Sequence, residues 1–231
     1  MTDTRLCGAL GVPATVAAAV SGGVTVVQLR DPTCPDRDFV ALGRELARQL
    51  AGTGVPLLVN DRVHLVAAIG ADGAHVGQGD LPVAAARQVL PAAGWLGLSV
   101  QTEEHVAAAR SAGAGLVDYL GVGPVWPQTT KPDAAEPGGV RRVAAVVRAS
   151  PWPCVAIGGI GPGRVAAVRA AGAAGIAVVS AVCGRPDPAA AARALRAEWD
   201  AAPPPPGDEP TGRSARRGAG RRHAGRHGGA G

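Results

Sequence analysis

Two aspartates, one lysine and two glycine-rich turns are the residues of this chain whose types and positions could do chemistry. Asp61 and Asp80 each follow a short apolar run, PLLVN and GAHV, so both sit where a strand ends. A pair of converging carboxylates suits Mg²⁺, which is commonly held by one or two carboxylates together with substrate phosphates. Helix N-capping is the competing reading of the same aspartates. Lys131 is the only lysine in the chain and lies in the loop GPVWPQTTK, while every other basic side chain is arginine. Arg30 ends the run VVQLR, with Gln28 two positions earlier on the same face of a strand. AIGGIGPG and AVVSAVCG close the last two apolar runs. Such turns can present backbone N–H groups and a helix N-terminus to an anion, with Gly158 and Gly159 permitting close approach; a plain strand-to-helix turn is the competing reading, and two such turns together favour phosphate. These features predict two anionic ligands, one beside the carboxylates, Arg30 and Lys131, the other on the final turns.

Side chains so far apart need a frame that gathers them. Apolar runs of four to seven residues alternate with Ala/Arg-rich amphipathic stretches, the pattern of buried parallel strands in βα units. Strands are expected near 24–29, 56–60, 73–76, 95–99, 116–121, 154–157 and 175–179, with Thr102 as an N-cap for the helix that follows the fourth. Seven units are one short of a (β/α)8 barrel, whose sites gather at the C-terminal ends of its strands. An open doubly wound sheet is the alternative, but recurring polar residues at successive strand ends favour the barrel. Val12 to Ser21 already reads as helix, and MTDTRLCG ahead of it is too polar and short for a buried strand. The fold expected is therefore an α/β TIM barrel, residues 1–200, lacking its first strand through N-terminal truncation.

Net charge is +5, yet the segment from Pro203 onward contributes six arginines against Asp208 and Glu209. The pI of 9.7 thus belongs largely to a Pro/Gly/Arg-rich tail, 201–231, which lacks apolar periodicity and is expected to be disordered. Without aromatic residues for base stacking, the tail is read as a solvated extension and no nucleic acid is expected. Cys7, Cys34, Cys154 and Cys183 are scattered, with no zinc or disulfide pattern. No signal leader or membrane-length apolar run is read, so a cytoplasmic protein is expected, with no membrane partner. His64, His75 and His105 are read as structural, and no G-x-S-x-G or Cys–His arrangement is present. Nothing in the residues fixes an oligomeric state.

VVQLRD, VNDR, GAHVGQGD, GLSVQT, DYLGVGPVWPQTTK, AIGGI and GIAVVSAV, in that order, resemble the thiamine-phosphate synthase family over about residues 2 to 198. The resemblance implies a (β/α)8 barrel that joins 4-amino-2-methyl-5-hydroxymethylpyrimidine diphosphate to a thiazole phosphate and releases pyrophosphate, with Mg²⁺ as cofactor. It implies Gln28, Arg30, Asn60, Ser99 and Lys131 as the pyrimidine-diphosphate site, Arg30 and Lys131 being the catalytic charges. Asp61 and Asp80 fall on the metal ligands. Gln128, Thr130, Gly159, Val179 and Ser180 fall on the thiazole-phosphate site, the last three largely through backbone groups. Three departures stand out. Pro32 replaces a lysine and removes an expected diphosphate contact; Gln128 replaces a threonine; and the chain begins MTD where relatives carry an apolar strand ending in a V-T-D-like step. Met1 is thus expected to stand for an internal valine, with strand one lying upstream of it. A thiazole tautomerase on the same barrel and a non-catalytic phosphate-ligand binder are the alternatives, although neither needs a carboxylate pair with a T-K step.

Overall fold

A computed structural model of the chain describes residues 1–113, 115–131 and 135–203. The expected disordered tail lies outside the described residues from 204 onward. The described part opens with α1 (Thr4–Cys7), a 3-10 turn and α2 (Gly11–Ser21). Seven strands then alternate with helices: β1 (Val27–Leu29), α3 (Asp36–Leu50), β2 (Leu57–Asn60), α4 (Val66–Ile69), β3 (Gly73–Val76), α5 (Val83–Val89) and β4 (Trp95–Val100). The chain continues through α6 (Glu103–Ala112), β5 (Tyr119–Val122), α7 (Gly139–Ala149), β6 (Cys154–Ile157), α8 (Val165–Ala170), β7 (Gly175–Ala177) and α9 (Pro188–Ala201). All neighbouring strands are parallel and lie in chain order, which is a curled sheet of βα units. Their number and order match the sequence reading, with β1 and β7 shorter at their ends than expected.

Local chemistry explains the helix starts. Thr102 accepts from the His105 N–H ahead of α6, and Asp187 accepts from the Ala190 N–H ahead of α9, whose first residue is Pro188. In α3 the buried residues Phe39, Gly43, Leu46 and Leu50 recur every three or four positions, so one face turns to the sheet. The stretch Thr4–Ser21 is, by length and mean hydropathy of 1.3, the one run among the described residues able to cross a membrane. Gly8 and Gly11, both at positive φ, break it into α1, the 3-10 turn and α2, and α2 packs on α9 and α3.

The strands alternate strictly between two environments. Val27, Leu29, Leu57, Val59, Ala74, Val76, Leu96, Val100, Leu120, Val122 and Ala156 point to the helices and are buried in the core. Each such Val or Leu contributes roughly 1.5–3 kcal/mol by leaving water. The opposite face carries Gln28, Leu58, Asn60, His75, Ser99, Tyr119, Gly121, Val155 and Ile157 around a cavity of ≈ 890 Å³. A barrel interior is ordinarily filled by branched side chains. Here small and polar residues leave it open.

The sheet does not close by pairing of β1 with β7. Residues 1 and 2 instead bridge its rim: the Met1 amine donates to the Val178 carbonyl (3.0 Å), and the Thr2 N–H to the Gln28 carbonyl (2.9 Å). Outside this gap α2 and α9 pack directly together, with Gly22 against Ala189 and Ala192. The architecture is thus a seven-stranded, incompletely closed barrel wall.

Candidate active site

Asp61 follows β2 and extends its ladder by donating its N–H to the His75 carbonyl (2.8 Å). Among the described residues it is the one non-glycine position with positive φ (61°), a conformation that Asp tolerates better than most residues. The turn aims its carboxyl at Asp80, whose Oδ2 is fixed by the Gly77 N–H (2.7 Å). Partial withdrawal from water, followed by the Asp80 carboxylate, pushes the Asp61 pKa up to about 6, while Lys131 and Asn60 pull it down. The carboxylates expected to converge therefore do so, with Lys131 offsetting part of their charge.

Lys131 is held by a loop that continues β5. The Val125 N–H donates to the Ile157 carbonyl (2.9 Å) and the Trp126 N–H to that of Gly158 (3.0 Å), so the loop runs beside the end of β6. Gly158 and Gly159 have φ of 100° and 65°. A Cβ on Gly158 would lie 2.6 Å from Pro124 Cα, and one on Gly159 2.6 Å from the Pro127 carbonyl oxygen. The paired glycines are thus required by close approach of the lysine loop, as well as offering backbone to a ligand. The Gln128 carboxamide oxygen accepts from the Thr130 N–H (2.7 Å), the Thr130 hydroxyl (2.9 Å) and the Lys131 N–H (2.8 Å). Its Nε2 donates to the Lys131 carbonyl (2.6 Å). Gln128 therefore staples the loop, and its carboxamide is turned onto its own backbone.

Val179 and Ser180 follow β7 in a tight turn, with the Val179 carbonyl accepting from Val182 (3.0 Å) and Cys183 (2.8 Å) N–H groups. On the other side of the rim, the Arg30 N–H donates to Thr2 Oγ1 (2.9 Å), and that hydroxyl donates to the Arg30 carbonyl (3.2 Å). The N-terminal residues fix the backbone that presents Arg30. At Pro32, the cation brought close is Arg62, which donates to the carbonyls of Asp31 (3.1 Å) and Pro32 (3.3 Å) and pairs with Asp36 (2.9 Å). Its guanidinium also stacks 4.6 Å from the centre of the Phe39 ring. Arg62 orders this loop with its charge already engaged.

Gln28, Arg30, Asn60, Asp61 and Ser99 line the same cavity as Gln128, Thr130, Lys131, Gly159, Val179 and Ser180. Asp80 reaches it through Asp61. The sequence reading took His75 as structural and did not consider Tyr119; both stand on the cavity wall among these residues. Burial, with Lys131 adding to it against Asp80, holds the His75 pKa down to about 4. The discoverable signal was its place in GAHV: β3 register sets His75 opposite Asn60, on the polar face.

A curled parallel sheet thus gathers a carboxylate pair, a lysine loop and two turns at the ends of its last strands around one cavity, the architecture of a barrel enzyme. The thiamine monophosphate synthase family model matches residues 1–182. The chain is 45% identical over 197 residues to the thiamine-phosphate synthase of Roseiflexus sp. (strain RS-1), covering 85% of this chain and 82% of that one. It is 49% identical over 197 residues to that of Xanthobacter autotrophicus, covering 85% and 92%. Among solved structures it resembles thiamine phosphate pyrophosphorylase from Pyrococcus furiosus, with a TM-score of 0.77 and 32% identity, covering 86% of this chain and 93% of that one. The chain belongs to the thiamine-phosphate synthase family, whose reaction joins the pyrimidine diphosphate to the thiazole phosphate and releases pyrophosphate.

Proposed function

We propose that the single cavity takes both substrates together, the pyrimidine diphosphate against β1 to β4 and the thiazole phosphate against β6 and β7. The observation that carries this reading is that residues from both expected subsites line one continuous space of ≈ 890 Å³. Gln28 and Ser99 would hold the pyrimidine ring within the barrel. Arg30, Asn60 and Lys131 would hold the diphosphate at the rim. Thr130 and the backbone at Gly159, Val179 and Ser180 would receive the thiazole phosphate.

Asp61 and Asp80 would hold Mg²⁺. Their fit rests on chemistry seen in the structure: two carboxylates share one corner, and the charge of each disfavours ionisation of the other, which a dication would relieve. No cluster of three or more His, Cys, Asp or Glu side chains exists among the described residues, and two carboxylates are what Mg²⁺ needs when phosphates complete its shell. Bound there, it would neutralise charge on the diphosphate.

The reaction breaks the C–O bond to the diphosphate and forms a C–N bond from the thiazole nitrogen to the pyrimidine methylene carbon. The thiazole nitrogen attacks with a lone pair, so no base is required to activate it. Charge accumulates on the departing pyrophosphate, and Arg30 and Lys131, which both line the cavity, would meet it there. Lys131 presents a compact ammonium on a flexible stem, suited to follow a phosphate as it moves. The four free thiols agree with a reducing compartment, the cytoplasm.

The test is pyrophosphate release with each substrate alone and both together, with and without Mg²⁺. Release that needs both substrates and the metal is expected. Conversion of the thiazole phosphate in the absence of the pyrimidine would instead establish an isomerase, and binding of both without release would establish a non-catalytic binder.

A further inference from the structure

A polar chain crosses the middle of the barrel, in a place where aliphatic side chains usually pack. His75 is 8% exposed and projects from β3 between β4 and β5. Its register neighbour is Gly97, whose own neighbour is Tyr119, so the glycine separates the two rings. Gly121 opens the same space, because a Cβ there would lie 2.8 Å from His75 Cε1. The imidazole fills this opening and makes two hydrogen bonds, Nδ1 with the Tyr119 hydroxyl and Nε2 with the Ser99 hydroxyl, each 2.9 Å. Gln28 also hydrogen-bonds the Tyr119 hydroxyl. Ser99 and Gln28, the two ends of the chain, are both expected pyrimidine contacts; the middle two residues have no assigned role.

The direction of these bonds follows from acidity. Enclosed at 8% exposure with a hydroxyl on each ring nitrogen, the imidazole is in its neutral form, with one lone pair and one N–H to share between them. A phenol is several units more acidic than an alcohol and is the better donor to that lone pair. Burial also pushes the Tyr119 phenol pKa up, so its proton is always present to donate. Tyr119 O–H then points at Nδ1, the ring proton sits on Nε2, and Nε2–H points at the Ser99 oxygen. The hydrogen of Ser99 has no acceptor left on His75 and is free to turn to the cavity that Ser99 lines.

We infer that Tyr119 and His75 are positioning residues that hold Ser99 as a one-directional hydrogen-bond donor into the cavity, selecting a ring-nitrogen acceptor on the pyrimidine. This rests on the placement of the pyrimidine at Ser99. The chain accounts for a buried histidine that the charge chemistry at the rim does not use. It also explains Gly97 and Gly121, since any side chain at either position would displace the ring.

Two measurements decide it. The ¹⁵N spectrum of ¹⁵N-histidine-labelled protein, assigned with His75→Gln, should show His75 as the Nε2–H tautomer in the absence of substrate. Tyr119→Phe, which preserves shape, should release the tautomer to a mixture. It should also raise KM for the pyrimidine diphosphate about tenfold while leaving KM for the thiazole phosphate unchanged. An Nδ1–H tautomer in the parent overturns the inference, as does a Tyr119→Phe enzyme with the parent's KM. Ser99→Ala separates the two levels: unchanged KM for the pyrimidine diphosphate there would overturn the substrate role of Ser99 itself, whatever the tautomer.

Discussion

Asp61→Asn removes one carboxylate of the pair and keeps the shape, and Asn tolerates the left-handed backbone that the turn requires. The folded pKa of Asp61 is raised from 3.8 to about 6, which in a dry site would amount to about 3 kcal/mol of differential stability. The residue as a whole is exposed at the cavity mouth, so solvent screening reduces this to about 1 kcal/mol. Because the folded value lies above the unfolded one, the folded state binds this proton more tightly. That contribution is fully present below pH ~4 and is lost as pH rises through about 6. The parent should therefore lose about 1 kcal/mol from this site between pH 4 and pH 7.5, and Asp61→Asn should not. Urea denaturation at both pH values reads the difference directly. At pH 7.5 the variant should be the more stable protein, while its pyrophosphate release falls on the order of 10²–10³-fold. Millimolar Mg²⁺ should raise the parent's midpoint at pH 7.5 and leave the variant's unchanged. Parallel pH profiles for the two proteins would refute the repulsion, and equal Mg²⁺ responses would remove the metal from this corner.

The other perturbations address the lysine loop. Lys131→Arg keeps the charge but replaces a compact ammonium with a planar fork, and turnover should fall on the order of 10²-fold; near-parent rates in the pyrophosphate assay would reduce Lys131 to a generic cation. Gln128→Ala removes the staple of the loop, and about a tenfold loss of kcat/KM is expected with an unchanged denaturation midpoint. Faster proteolysis near residue 128 should accompany it, and unaltered cleavage and kinetics would show that the loop is ordered by other contacts. Gly159→Ala forces a side chain into positive φ and against Pro127, which should cost about 2 kcal/mol or more in urea denaturation; a loss near zero would show that the loop yields easily.

The legibility of the site varied with the range of the interactions involved. Asp61 and Arg30 could be read because each follows an apolar run, and in parallel βα units every strand ends on the same face; Lys131 could be read because it is the chain's only lysine. Gln128 was read as a ligand contact because its substitution for threonine keeps a polar group. Its actual bonds run to backbone two and three residues away, and they depend on how the loop folds over Gly158 and Gly159. Thr2 lies in a segment too polar for a strand, yet it is 4% exposed because it bridges the rim to Arg30.

By itself the sequence determined the order of strands and helices and the face on which the charged residues gather, and its ordered motifs carried the resemblance to the family. The first two follow from local periodicity and from residue types at strand ends, which require no knowledge of partners. Only the tertiary structure decided what stands across from what. His75 meets Tyr119 and Ser99 because β3, β4 and β5 pair in one register, and a shift of one residue would turn all three away from the cavity. Asp61 acquires its raised pKa only when folding withdraws it from water and brings Asp80 beside it. Hydrogen-bond direction and charge repulsion act over a few ångströms in space, and separation along the chain carries no record of that distance.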